Sequence, residues 1–415
     1  MTRTERTYYV VVALWNLPGW FMHPIYPMFL LSRGLDLFEI SLVLASFQIS
    51  IFLFQVPTGA IADLYGRKVS FLLSCLTRLG AFLLYSVAQG FTACVIAEVI
   101  DALGVTLASG AIDAWAVDGV RAEGDDRPAD RMFARSQALV RAVVVVGGVA
   151  CGYLADRFGL VVPWLVAASF FAIAFVVGAL AMYDDRAARR ASRRGSRASF
   201  AATITAGLVA VRDHAVLRTL CLLTLLSAVA MMPVIMYWPP RLEALGSGGF
   251  WLLGWAWAIL NVAAVIGALL VTPLLRRLRR EWLLLALTVW RAAFLAAAAL
   301  AASLQPVLWL LVLYEVGASA RQPVVSAWMN EHIGTELRAT VLSVEGMAFM
   351  LGGSLGLVCI GLVARGYGIP QAWLVCAAIF AAMAPLYLLL GRVARRDAAL
   401  RAAAHERDAV APLRA

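Results

Sequence analysis

The sequence predicts an all-α polytopic membrane protein, with twelve transmembrane helices in two pseudo-symmetric six-helix bundles. Three observations carry that expectation. Of the 415 residues, 62% are hydrophobic and only 14% are charged, and the mean hydropathy is +0.83, whereas soluble domains carry about 25% charged residues. The apolar residues fall into twelve runs, each close to the roughly 20 residues that cross a bilayer. One strongly basic stretch, Asp184 to Ser199, divides these runs six and six. A soluble globule is excluded. A formal charge of +10 would suggest nucleic acid in a soluble protein. Here the basic residues sit between apolar runs, so membrane topology accounts for them and no nucleic-acid partner is expected.

Bounded by charge, Gly or Pro, the spans fall at 8–31, 38–62, 69–89, 92–117, 134–155, 161–182, 215–239, 249–275, 282–303, 306–329, 337–364 and 369–391. Span 1 is too long for a signal-peptide core and lacks a small-residue cleavage site, so it is retained. It breaks at Pro18-Gly19, ahead of His23, Pro24 and Pro27. Span 2 ends in a Gly- and charge-containing turn. Spans 3 and 4 carry Arg78, Glu98 and Asp101, span 5 carries Arg141 among glycines, and span 6 is purely apolar. In the second half, span 7 is rich in Met and aromatics and span 8 in Trp. Span 9 carries Arg291, span 10 Glu315 and Arg321, and span 11 Glu345; span 12 again is apolar.

The domains expected are an N-terminal bundle (1–183), a basic linker (184–214), a C-terminal bundle (215–391) and a tail (392–415). Of the 35 basic residues, four arginines (Arg78, Arg141, Arg291, Arg321) lie deep inside spans, four (Arg33, Arg157, Arg241, Arg365) fall on one side, and 27, some of them at span ends, fall on the other. The positive-inside rule then makes both termini and the linker cytoplasmic, and the linker either lies against an anionic leaflet or stays solvated. Six scattered cysteines, with no CxxC and no histidine at ligand spacing, read as small hydrophobes. No cofactor or metal is expected.

The halves repeat. Arg78 lies 11 residues after Arg67 and 37 before Trp115, and Arg291 lies 11 after Arg280 and 37 before Trp328. Duplicated six-helix halves place a site at their interface near the midplane.

Between spans 2 and 3 the chain reads Gly59-Ala-Ile-Ala-Asp63-Leu-Tyr-Gly66-Arg67-Lys68. This resembles the signature loop of the major facilitator superfamily, and twelve spans with a basic middle loop agree with its bacterial twelve-helix members. The resemblance implies a transporter that works by alternating access. It also implies a gating role for Gly59, Asp63, Gly66, Arg67 and Lys68, with Asp113 or Asp118 as acidic latches for Arg67. The alternative for this loop is a plain topogenic turn. The second-half counterpart, Thr272 to Arg280, keeps the charge but loses the Gly and Asp. The family's drug/proton antiporters usually carry an arginine six residues before a glycine in span 4, and here that position, counted back from Gly104, is Glu98. Their span-5 Gly-Pro is absent too.

Ionisable residues inside a span cost at least about 2.5–3.5 kcal/mol, so each needs a partner, water or a function. By helical rise Glu98 lies about 9 Å and Asp101 about 13 Å from the outer end of span 4. Arg78 is the obvious partner of Asp101. Arg291 with Glu315, and Arg141 with Glu345 across the interface, are the further expected pairs, serving either as packing salt bridges or in coupling. Glu98 is then left without a cation, and such a carboxylate can exchange a proton. Glu98, Asp101, Glu315 and Glu345 are therefore the proton-coupling candidates, with Arg78, Arg141, Arg291 and Arg321 as charge partners.

Deep uncharged polar residues are few, which disfavours a sugar site. Cavity candidates are Trp15, Asn16, His23, Gln48, Met232 and Asn261. Trp20, Tyr26, Trp238 and Trp251 suit an interfacial aromatic belt, while Met and aromatic walls suit bulky, partly apolar ligands. The function expected is proton-coupled export of an amphipathic small molecule, a drug or secondary metabolite, across the cell membrane. Partners are the substrate, protons and the bilayer, and a monomer suffices because the fused halves form a complete pathway. The alternatives are symport of a nutrient or organic anion, with Arg141 or Arg321 as clamp, and a non-transporting sensor or scaffold. No P-loop and no catalytic constellation is present, so neither direct ATP use nor an enzyme is expected.

Overall fold

The computed structural model describes residues 1–124, 128–183, 209, 211–246, 248–332 and 338–410. Most of the linker expected at 184–214, including its arginine cluster, lies outside the described residues. The first half is built from α1 (Arg3–Phe21), α2 (Tyr26–Ser32), α3 (Leu37–Tyr65), α4 (Arg67–Val87), α5 (Gly90–Ala108), α6 (Ala111–Ala122), α7 (Asp130–Phe158) and α8 (Val162–Ala181). The second half has α9 (Ala215–Ala244), α10 (Phe250–Leu275), α11 (Arg280–Leu300), α12 (Leu304–His332), α13 (Arg338–Tyr367), α14 (Ile369–Met383) and α15 (Leu386–Val410).

Among the described residues, ten helical stretches are long and apolar enough to cross a membrane, with α5–α6 and α14–α15 each counting once. The other two crossings are made by α1–α2 and α12. Arg3 and Thr4 at the start of α1 bond to Glu123 beyond α6, while Arg33 beyond α2 reaches the Ser86 carbonyl at the opposite end of α4. Likewise α12 starts close to Ala301, the carbonyl held by Arg241 at the end of α9. It ends at His332, beside His214 at the start of α9. Exposed side chains such as Leu73, Leu83, Ile173, Val176, Leu269 and Leu362 cover the outer helix faces. So much contiguous apolar surface belongs in lipid.

Several expected spans are divided. Span 1 starts at Arg3 and breaks at Met22–Ile25 rather than at Pro18-Gly19. Pro18 is accommodated inside α1, whereas Pro24 and Pro27 crowd the next turn and leave it without two N–H donors. Span 4 divides at Ser109-Gly110 into α5 and α6. Span 12 divides at Ala384-Pro385, and the expected tail continues as α15, tied back where Arg395 donates to Glu281 of α11.

Local chemistry fixes the remaining ends. Asp36 and Glu39 form a reciprocal capping box at the start of α3, satisfying orphan N–H groups there. Gly66, with φ of 99°, makes the α3–α4 turn in a conformation that a side chain would strain. α4 and α11 are each 21 residues long, so the repeat extends from sequence to geometry.

The halves meet through α7 against α10 and α3 against α13. At the first contact, Gly148 and Gly152 of α7 abut Gly254 and the Phe250 carbonyl of α10 so closely that a Cβ would not fit. The contacts that join the halves concentrate on the side away from the termini. Arg365 pairs with Asp36 at 3.1 Å, the Tyr237 hydroxyl bonds to Ser41, and Asp156 accepts from the Phe250 N–H at 3.0 Å.

Candidate functional site

A central cavity lies between the halves, below an aromatic stack that spans them. His23, in the α1–α2 break, stacks on Trp257 of α10 with ring centroids 4.7 Å apart. Trp20 stacks on His23 at 5.5 Å, and Trp238 lies parallel to Trp257 at 6.3 Å. The expected aromatic belt is corrected here. Trp20, Trp238 and Tyr26 line the cavity, Trp20 remaining partly open there, while Trp251 is exposed at the start of α10. From this stack the cavity extends towards the termini as far as Asp113 and Gln137. One of its chambers, of about 410 Å³, is lined by Gln48, Met232, Asn261 and Glu315. Trp15, Asn16 and His23 line the chamber on the first half, so all six cavity candidates border this space.

The first-half charges are built as a unit. Arg78 of α4 makes a two-pronged ion pair to Asp101 of α5, at 2.7 and 3.2 Å. Its guanidinium lies over Trp15 and Phe171, 5.0 and 4.5 Å from the ring centroids. Its stem presses on Gly104, where a Cβ would collide. The sequence carried that signal in Gly104, though as a counting mark rather than as the floor under Arg78. Glu98, only 6% exposed, accepts a hydrogen bond from the Tyr85 hydroxyl. The Tyr26 hydroxyl sits 2.9 Å from that of Tyr85, and Tyr85 stacks on Trp164 at 4.2 Å. These tyrosine partners went unseen in the sequence, because an aromatic residue near a helix end reads equally as belt.

The second half departs from expectation. Arg291, 1% exposed, bonds not to Glu315 but to the hydroxyls of Tyr314 (3.1 Å) and Ser227 (3.3 Å), over the Phe380 ring at 4.0 Å. Arg291 and Tyr314 are 23 residues apart, the separation of Arg78 and Asp101. The repeat thus puts tyrosine where the first half has aspartate, and Glu315 falls one position beyond. Glu315 accepts from Ser319 instead. The expected Arg141–Glu345 pair is likewise absent: Glu345 accepts from Thr224 at 3.1 Å, and Arg141 opens into the cavity. Arg321 is buried against the Tyr387 hydroxyl and the Leu223 carbonyl, away from the cavity.

At the signature loop, Arg67 pairs with Asp118 of α6, while Asp113 accepts from Tyr8 at 2.7 Å and not from Arg67. Lys68 donates to the Ala179 and Met182 carbonyls at the end of α8, where a cation complements the helix dipole. Asp63 and Gly59 lie in the last turns of α3, and Gly59 has open space around its Cβ position. The second half repeats the latch as Arg280–Glu331, with the partners 51 positions apart in both halves. Sequence reading missed it because Glu replaces Asp and the surrounding loop lost its pattern.

The family model of the Major Facilitator Superfamily matches residues 16–286 and 252–415. The chain belongs to this superfamily. It is a multi-pass membrane transporter and not an enzyme. An uncharacterised MFS-type transporter of Bacillus subtilis, YxaM, is 21% identical over 395 residues, covering 94% of this chain and 96% of that protein. Among solved structures, a mutant of the nucleoside transporter NupG superposes with a TM-score of 0.79 at 13% identity, covering 93% of this chain and 99% of that one. The POT-family transporter PepTSo gives 0.71 at 12% identity, covering 94% and 98%. At such identities the likeness to NupG and PepTSo is one of fold.

Proposed function

We propose that this MFS transporter exports an amphipathic small molecule in exchange for protons, across a cell membrane in which both termini are cytoplasmic. The observation that carries the reading is Glu98. It borders the cavity, is nearly sealed from water, and has tyrosine hydroxyls as partners, while the nearby Arg78 is committed to Asp101. A carboxylate held by hydroxyls can be bonded both with and without its proton, which suits a group that must load and unload one in each cycle. Glu98 is the coupling residue on this reading, and Asp101 with Arg78 senses its charge from the same face of α5.

The cargo follows from the walls. Trp20, His23, Trp238, Trp257, Met232 and Phe349 present broad apolar faces, while few amides are available to replace the hydration of a polyol. The two latches, Arg67–Asp118 and Arg280–Glu331, stiffen the termini side of each half so that each moves as a body. Symport of an organic anion is the second reading, favoured by Arg141 in the cavity.

The test is proton-driven accumulation of hydrophobic dyes in inverted membrane vesicles. Accumulation that a protonophore collapses, and that Glu98→Gln lowers at least tenfold, is the expected result. Accumulation only in right-side-out vesicles would instead establish uptake.

A further inference from the structure

The charges that border the cavity beyond Arg78 and Asp101 are not spent on each other. Arg141 of α7, in the first half, faces the chamber that holds Asn16 and Gln137 and also the chamber that holds Glu315. It makes no hydrogen bond or ion pair with any described residue. Glu315 of α12, in the second half, lines the same chamber as Arg141. Its hydrogen bond comes from Ser319, 2.8 Å away on its own helix. A cation and an anion therefore face one space from opposite halves with no ion pair between them. Asn16 and Asn261 each spend their Nδ2 on the carbonyl one turn back, Val12 and Trp257, both at 2.9 Å. That leaves each Oδ1 as an acceptor towards the cavity.

We infer that the cavity is built for an amphipathic zwitterion, whose carboxylate or other oxyanion seats on Arg141 and whose cationic nitrogen seats on Glu315, with its apolar body against Trp20, Trp257 and Met232. This deepens the export reading above and rests on it for the role of the cavity. The guanidinium fork matches an oxyanion in two parallel bonds. A ligand with only one of the two charges leaves the other protein charge desolvated and unpaired, and that penalty supplies the discrimination. Because Arg141 and Glu315 belong to different halves, a ligand that holds both also fixes the distance between the halves. Occupancy then biases the rocking equilibrium through differential affinity.

The experiment uses the full chain in lipid nanodiscs, without a gradient, and measures binding by fluorescence anisotropy with three related xanthene dyes. Rhodamine B is zwitterionic, its ethyl ester is cationic and fluorescein is anionic. Rhodamine B should bind about tenfold more tightly than either, the order of a charge-assisted bond gained. Arg141→Gln should erase its advantage over the ester, Arg141→Lys should restore part of it, and Glu315→Gln should erase its advantage over fluorescein. Each variant is checked for a monodisperse elution profile, and where Arg141→Gln does not fold, the reduced preference of Arg141→Lys carries the test. Equal affinity for the three dyes, no binding of any, or an Arg141→Gln effect common to all would overturn the inference. The last result would mean that Arg141 and Glu315 close on each other. With no gradient imposed, these failures are distinct from failure of proton-coupled export, which is read from dye movement.

Discussion

Arg78 and Arg291 occupy repeated positions but solve the burial of a guanidinium differently. Arg78 has a carboxylate at 2.7 Å, whereas Arg291 has two hydroxyls and an aromatic face. Removing the charge of Asp101 strands Arg78 in a dry site, and breaking such a pair costs about 3–5 kcal/mol. Asp101→Asn should therefore lower the unfolding temperature of the purified protein markedly. Tyr314→Phe, which removes one neutral donor and acceptor from Arg291, should cost about 1–3 kcal/mol. Equal losses in the two variants, measured by thermal unfolding in one detergent, would contradict this contrast. The Arg78–Asp101 pair was legible from sequence because depth and charge sign sufficed. The Arg291 environment was not, since depth arithmetic cannot tell Tyr314 from Glu315 one residue on, and those two positions point to different sides of the helix.

Among elements, α7 and α10 carry the closest approach between the halves. Gly152 faces the Phe250 carbonyl, and Gly254 faces that of Gly148. A larger side chain there must push two backbones apart, and overpacking costs typically about 1–3 kcal/mol. Gly152→Leu should thus destabilise the arrangement closed on the far side in favour of one that opens there. The readout is labelling of a cysteine placed at Phe250, half-buried at this contact, by a membrane-impermeant maleimide, with faster labelling expected in the Gly152→Leu background. Unchanged labelling would show that this contact does not hold the far side shut. In the sequence the glycines of span 5, which include Gly148 and Gly152, stood out only for lacking a following proline. Their packing role depends on which helix lies opposite, and a single sequence does not say. Helix number and order were legible because hydropathy is a property of the chain itself. The breaks in α1–α2, α5–α6 and α14–α15 were not, because a helix that bends while staying apolar leaves the hydropathy unaltered.

For the whole molecule, the far side is shut by a small number of polar links laid over that packing. Asp36 binds Arg365, Asp156 caps the first turn of α10, and Tyr237 meets Ser41. Exposed ion pairs contribute about 0–1 kcal/mol, so no single link determines the state, but together they set the balance between the two arrangements. An Asp36→Asn, Asp156→Asn double variant should move the population towards opening on the far side without loss of fold. Spin-label distances between Asp156-side and Trp251-side positions would report the shift, and an unchanged distance distribution would place the closure wholly in the apolar contacts. The ring stack beneath these links has an optical consequence. Trp20 belongs to one half and Trp257 to the other, with His23 between them and Trp238 parallel beyond. Aromatic chromophores at this spacing share their excited states, so the near-ultraviolet circular dichroism of the unlabelled protein should weaken whenever the halves separate, giving each turnover a spectroscopic signature that needs no added dye.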